Sequence, residues 1–194
     1  MGFDVYGMNP TVADGTVKPT RTTIKGFGRL SADEKKERMK AIEEYQEKNV
    51  GAYFRNNVWW WRPLWNFVTA TCDDLLTEKD IESGSYNDGH KISKTKADRL
   101  AKRLHSMIED GKVKEYENGY KKELASLEQV DCDTCDATGR RNKPPKPGAG
   151  DYQECNGCNG TGKVDDWARS YPFSEDNVRR FANFCANSGG FEIW

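Results

Sequence analysis

The chain predicts an α+β fold, mainly helical, with a small pairing of terminal strands and an inserted module that carries four cysteines. Three observations lead there. Apolar residues recur at helical spacing behind capping residues, most clearly where Ser93 is followed by Ala97, Leu100, Ala101, Leu104, Met107 and Ile108. Both ends of the chain are short, apolar and strand-like, at Phe3 to Tyr6 and at Phe191 to Trp194. Two Cys-x-x-Cys pairs, Cys132/Cys135 and Cys155/Cys158, stand 19 residues apart.

A chain of 194 residues suffices for one sizeable core, or for a core and a small module. Thirty basic residues against 31 acidic ones leave a formal charge of −1. That balance lacks the basic excess of a general nucleic-acid binder. No apolar run approaches the roughly 20 residues of a membrane helix. The N-terminus has no basic, apolar signal segment, so the expectation is a cytoplasmic protein with no membrane partner. Thiols stay reduced in that compartment, which favours metal ligation over disulfides for paired cysteines.

Element by element, residues 1–8 read as a strand ended by Asn9-Pro10. Residues 9–29 have no period and read as a loop. Ser31-Ala-Asp-Glu34 is a capping box that opens a charged surface helix running to Asn49. Pro63 suits the first turn of a helix in which Leu64, Phe67, Val68, Thr71, Cys72 and Leu75 share one face. Thr77 caps a short helix that stops at Ser83-Gly84, and residues 84–90 form a polar loop. Ser93 opens the amphipathic helix that Gly111 closes. Val113, Tyr116, Tyr120, Leu124 and Leu127 suggest another helix leading to the cysteine module. Ser174 caps a last helix with Val178, Phe181, Ala182 and Cys185 inward. Residues 1–130 and 165–194 thus form a single mainly helical body, in which 11–49 supply a loop and a charged surface helix, with 131–164 as the inserted module. Cys72 and Cys185, alone on apolar stripes, read as small buried hydrophobes.

The spacing Cys-x2-Cys-x19-Cys-x2-Cys is that of a four-cysteine zinc site. Each pair lets one tight turn present two sulfurs to an ion at about 2.3 Å. Four thiolates saturate a tetrahedral ion and leave no place for an activated water, so the expected cofactor is one structural zinc without catalysis. Two free dithiols, or a redox pair, are the competing reading. Small residues follow each pair, in Cys135-Asp-Ala-Thr-Gly139 and Cys158-Asn-Gly-Thr-Gly162, where glycine lets backbone amides turn toward the thiolates. The second repeat matches Cys-x-x-Cys-x-Gly-x-Gly and resembles the cysteine-rich zinc domain of DnaJ-type cochaperones. That resemblance covers about 34 residues and implies the ligands Cys132, Cys135, Cys155 and Cys158. Ala137 replaces a glycine of the pattern, two repeats stand where the cochaperones have four, and their His-Pro-Asp motif is lacking. Cochaperone activity therefore does not follow.

Tyr53, Phe54, Arg55, Asn56, Asn57, Trp59, Trp60, Trp61 and Arg62 form an aromatic and arginine block. Adjacent side chains point in different directions, so three consecutive tryptophans cannot all face one core. Rings and guanidinium groups suit a site that sandwiches a nucleobase or grips a phosphate, with the asparagines reading polar edges. The competing reading is that these rings fill a core. Asp88 and His90, in a second polar cluster, are the only candidates for acid–base chemistry, and without a nucleophile arrangement a binding protein is the better class than an enzyme. Between the cysteine pairs, Arg140, Arg141, Lys143 and Lys146 make a basic loop that suits phosphate or an acidic partner, or is merely a solvated linker.

Residues 51–65 and 86–90, the cysteine pairs and Asn187 to Phe191 together resemble a group of proteins encoded by bacteriophages and some bacteria. That resemblance implies a phage setting and supplies no activity. The expected function is a non-enzymatic, zinc-binding interaction protein that presents the aromatic block to a host protein. One alternative is a phage counter-defence protein that sequesters a nucleotide-type signal with Arg55 or Arg62. Another is a nucleic-acid binder that uses the loop 140–146.

Overall fold

The structure is a computed structural model that describes residues 2–20, 24–141 and 153–194. It is α+β, with helices predominating and two small antiparallel sheets. The chain divides into two compact units, Met1–Glu117 with Phe173–Trp194, and Asn118–Pro172.

In the first unit, β1 (Gly2–Gly7) is followed by α1 (Ile24–Gly28), α2 (Ala32–Lys48), β2 (Tyr53–Asn57), α3 (Val58–Thr71), α4 (Glu78–Ser83), β3 (His90–Ile92) and α5 (Lys94–Glu109). Helix α6 (Lys112–Ser126) contains the division, and α7 (Glu175–Ser188) and β6 (Phe191–Ile193) complete the unit. The terminal strands pair as expected, with Val5 opposite Ile193 and Gly7 opposite Phe191. The sheet then extends on both sides in the order β2-β1-β6-β3.

The side chains named from sequence explain most of these boundaries. Ser31 and Glu34 form a reciprocal capping box on α2. Ser93 and Ser174 accept from Lys96 N–H and Asn177 N–H at the starts of α5 and α7. The stripes of α5 and α7 pack on each other, burying Leu100, Leu104, Val178 and Phe181 completely.

Three local expectations need correction. A short helix, α1, stands within the stretch read as loop; it is one turn, closed by Gly26 and Phe27 carbonyls that accept from Arg29 and Leu30 N–H, and five residues are too few to display a period. The loop expected over 84–90 gives way at His90 to a strand, His90–Ile92, and residues 53–57, to which the sequence assigns no element, are a strand as well. In β2 the alternation is masked because the inward residue Asn56 is polar, and β3 is only three residues long. Pro63 is not in the first turn of α3, because Asn57 caps the helix five residues before the reading placed it, accepting from Trp60 N–H at 3.1 Å. Pro63 then lies inside the helix, buried, at a position that contributes no ladder N–H.

In the second unit, β4 (Val130–Asp131) pairs with β5 (Lys163–Val164) beside the cysteine turns. Tyr120 Oη donates to the Tyr171 carbonyl at 2.9 Å, and Arg169 bridges Asp165 and the Leu127 carbonyl. Among the described residues, no helix is long and apolar enough to cross a membrane.

Candidate metal centre and the aromatic block

Two turns of the same build form the cysteine cluster. Cys135 N–H and Ala137 N–H donate to the Cys132 carbonyl, and Gly160 N–H donates to the Cys155 carbonyl. Thr138 and Thr161 hydroxyls donate back to the Cys135 and Cys158 carbonyls at 2.6 and 2.7 Å. Left-handed backbone falls at matching places: Asp136 (φ 51°), Ala137 (61°) and Gly139 (73°) against Asn159 (50°), Gly160 (79°) and Gly162 (77°).

The turns also clasp each other reciprocally. Cys132 N–H donates to the Gly162 carbonyl at 2.9 Å, and Cys155 N–H to the Gly139 carbonyl at 2.8 Å. Asp131 pairs with Lys163, and Arg140 bridges to Glu154 at the equivalent place. A Cβ on Gly139 would lie 2.3 Å from the Gly160 carbonyl oxygen, and one on Gly162 would lie 2.3 Å from that of Ala137. The final glycine of each repeat is thus required by the other repeat's backbone as well as by its own positive φ.

This double clasp turns all four sulfurs inward. The Sγ atoms of Cys132, Cys135, Cys155 and Cys158 lie within 4.8 Å of one another, and all four residues are buried. Cys132 and Cys155 Sγ are 3.9 Å apart, and Cys135 and Cys158 Sγ 3.7 Å. These separations are far from a disulfide bond, whose sulfurs lie about 2.05 Å apart. A tetrahedral ion with sulfur ligands at about 2.3 Å spaces them by about 3.8 Å, so the cluster fits such an ion. Gly162 N–H points at Cys158 Sγ, 3.2 Å away, the kind of outer contact that offsets thiolate charge.

The thiols are not equivalent. Burial pushes Cys135 up to about 11, although Gly139 N–H opposes it. At Cys158 burial is outweighed by the Gly162 N–H and by hydrogen bonds from the other three thiols, which bring it down to about 7. Cys72 and Cys185 are buried in the first unit, and burial raises both thiols.

The aromatic block is divided between core and surface. Trp61 is fully buried, stacked on Phe3 at 5.1 Å and on Trp65 at 5.6 Å, with its Nε1 donating to the Gly84 carbonyl. Phe54 packs on Phe181 and Phe184. Asn56 is buried and donates to Asn177 Oδ1, while Asn57 is committed to capping α3. Tyr53 is half-buried, its hydroxyl donating to Asp4; burial and that carboxylate raise the phenol. Trp59 and Trp60 are half-buried, and Arg55 and Arg62 are exposed, with Arg55 Nε 3.5 Å from Asp4.

Asp88 is exposed, and the partner of His90 is Asp80, at 2.9 Å from its Nε2. Asp80 also accepts from Lys96 and from the Thr77 N–H and hydroxyl, so one buried carboxylate joins the start of α4, β3 and α5. Burial alone would raise this carboxyl, but Lys96, Thr77 and His90 together hold it well below the usual carboxylate range. The spacing Thr77-x-x-Asp80 was the available sequence signal for a cap; nothing in the order of residues indicated the link to His90. Of the basic loop, Arg140 and Arg141 are exposed, while Lys143 and Lys146 lie outside the described residues.

Comparisons with known protein families, with curated proteins and with solved structures return no match for the chain.

Proposed function

We propose that this is a non-enzymatic interaction protein whose second unit is held by one structural zinc ion. The single observation that supports the reading is the inward convergence of four buried sulfurs at separations suited to a tetrahedral ion. Cys132, Cys135, Cys155 and Cys158 would be its ligands. An all-sulfur donor set favours zinc over hard cations, which take oxygen. With four protein ligands the ion orders the chain and offers no open position for chemistry. The paired turns and the Cys-x-x-Cys-x-Gly-x-Gly repeat support a module of the DnaJ cysteine-rich type.

The partner surface in this reading is the outer part of the aromatic block, Tyr53, Arg55, Trp59, Trp60 and Arg62, offered to a host protein in a phage setting. Tryptophan, tyrosine and arginine are the residues that carry most interface energy.

Elemental analysis of reduced, purified protein tests the metal: one zinc per chain is expected, and loss of it in Cys135→Ser. Six freely titrating thiols and no zinc would sink the reading. For the partner surface, Arg55→Ala and Arg62→Ala should change stability by no more than about 0.5 kcal/mol while removing capture of a partner from host lysate.

A further inference from the structure

We propose that the first unit carries a site for a small planar aromatic anion, in a groove of about 760 Å³ beside the outer ends of β1 and β6. None of its lining residues belongs to the cysteine cluster or to the aromatic block, so this site is independent of the partner reading.

The groove accounts for features that packing leaves over. Tyr6, Met8, Met39 and Trp194 are 42, 43, 44 and 50% exposed, large apolar residues that folding does not bury, and all four line this one concavity. Convergence of such residues on a single depression marks a binding surface, whereas scattered ones need no explanation. Phe27 and Tyr45 add two more rings. The apolar positions of the otherwise charged helix α2, Met39, Ile42 and Tyr45, all face the groove, which explains why a surface helix carries them. The volume is that of an ordinary small-molecule pocket.

Two observations define the ligand further. Tyr45 is only 7% exposed, and among the described residues its buried hydroxyl has no hydrogen-bond partner, which leaves an unsatisfied polar group in the groove wall. The charges on the lining are Lys18, Arg38 and Glu192. Glu192 is already matched by Lys91 at 3.0 Å and by Trp194 Nε1 at 3.2 Å, and Arg38 is positioned by the Thr20 carbonyl. The groove therefore presents net positive charge beside aromatic walls. Rings stack a flat ligand, and Lys18 with Arg38 meets a carboxylate or phosphate at its edge.

Isothermal titration calorimetry on the zinc-loaded full chain tests this. The probes are 2-naphthoate and adenosine 5′-monophosphate, a carboxylate and a phosphate form of the same chemistry, each beside its uncharged congener, 2-naphthamide or adenosine. Saturable binding of at least one anion is expected, with the uncharged congener and the Arg38→Gln variant each weaker by about tenfold. Met39→Trp, which fills the groove from an exposed helical position, should abolish binding with an unchanged circular dichroism spectrum. Should that variant misfold, Lys18→Gln on the neighbouring segment should lower the affinity several-fold. No saturable heat with either anion up to about 1 mM, equal affinity for the uncharged congeners, or binding that persists in folded Met39→Trp would overturn the proposal.

Discussion

The two units solve the same problem by different means. In the first, Trp61, Trp65, Phe67, Phe181, Phe184 and Phe191 are all under 2% exposed and pack ring against ring. In the second, the buried cluster consists of Cys132, Cys135, Cys155 and Cys158, with Val164 against it. A buried large apolar side chain contributes roughly 1.5–3 kcal/mol, so the first set outweighs the entropy of ordering in a way that four small thiols cannot. The difference teaches where each unit is vulnerable. One depends on apolar area, and the other on whatever draws its sulfurs together.

On the proposed zinc reading, removing the metal should give the largest effect, confined to one side. Apparent binding free energies of structural zinc are about 10–16 kcal/mol, and that amount is unavailable to a chelated or Cys135→Ser chain. Backbone amide resonances of residues 130–141 and 153–164 should collapse into the unfolded region of the spectrum, while those of α5 and α7 hold their positions. Loss of both sets together would show that the first unit is not self-sufficient. Trp61→Ala makes the converse cut: a cost of about 3–5 kcal/mol in the melting of the first unit, with zinc content unchanged by elemental analysis.

The buried carboxylate gives a smaller and pH-dependent break. Asp80 accepts hydrogen bonds from the Lys96 ammonium and from Thr77, and Asp80→Asn should cost about 2 kcal/mol at neutral pH. Its folded-state ionisation is held below the ordinary range, so its contribution is present above the unfolded value near 4 and drains away as pH falls below that. Chemical denaturation between about pH 4 and pH 2 should accordingly show a flatter slope in the variant than in the parent. An unchanged slope would mean that other carboxylates dominate acid unfolding.

How much of this was legible follows from the range over which each signal acts. Caps and stripes are local, and Ser31, Thr77, Ser93 and Ser174 all start the helices the sequence assigns to them. The cysteine spacing fixes two turns, but their reciprocal clasp depends on carbonyls 30 and 16 residues away and had no sequence signature beyond the glycines. Asn56 looked like a surface reader because it is polar, yet it is buried against Asn177, 121 residues later. The Asp80–His90 link escaped for the same reason, since a cap residue's second bond depends on how β3 returns. Trp61 and its neighbours show the limit most plainly: the sequence requires that they diverge, and only the helix phase set by Asn57 decides that Trp61 is the one inside.

The finest test of the comparison lies within the cysteine unit, where the two turns share three left-handed positions and one of these holds alanine in the first turn and glycine in the second. Ala137 sits at φ 61° and its counterpart Gly160 at φ 79°. An L-residue in this region costs about 1–2 kcal/mol, while glycine gives back roughly 0.5–1 kcal/mol through the freedom of the unfolded chain. Ala137→Gly should thus stabilise the zinc-loaded second unit by about 0.5 kcal/mol, visible as a small rise in melting temperature and a slower loss of zinc to a competing chelator. Gly160→Ala should act in the opposite sense and by somewhat more, because its new methyl also meets the Glu154 side chain at 3.2 Å. If the two substitutions moved stability in the same direction, the turns would not be carrying equivalent strain, and the module would be held by its sulfurs alone.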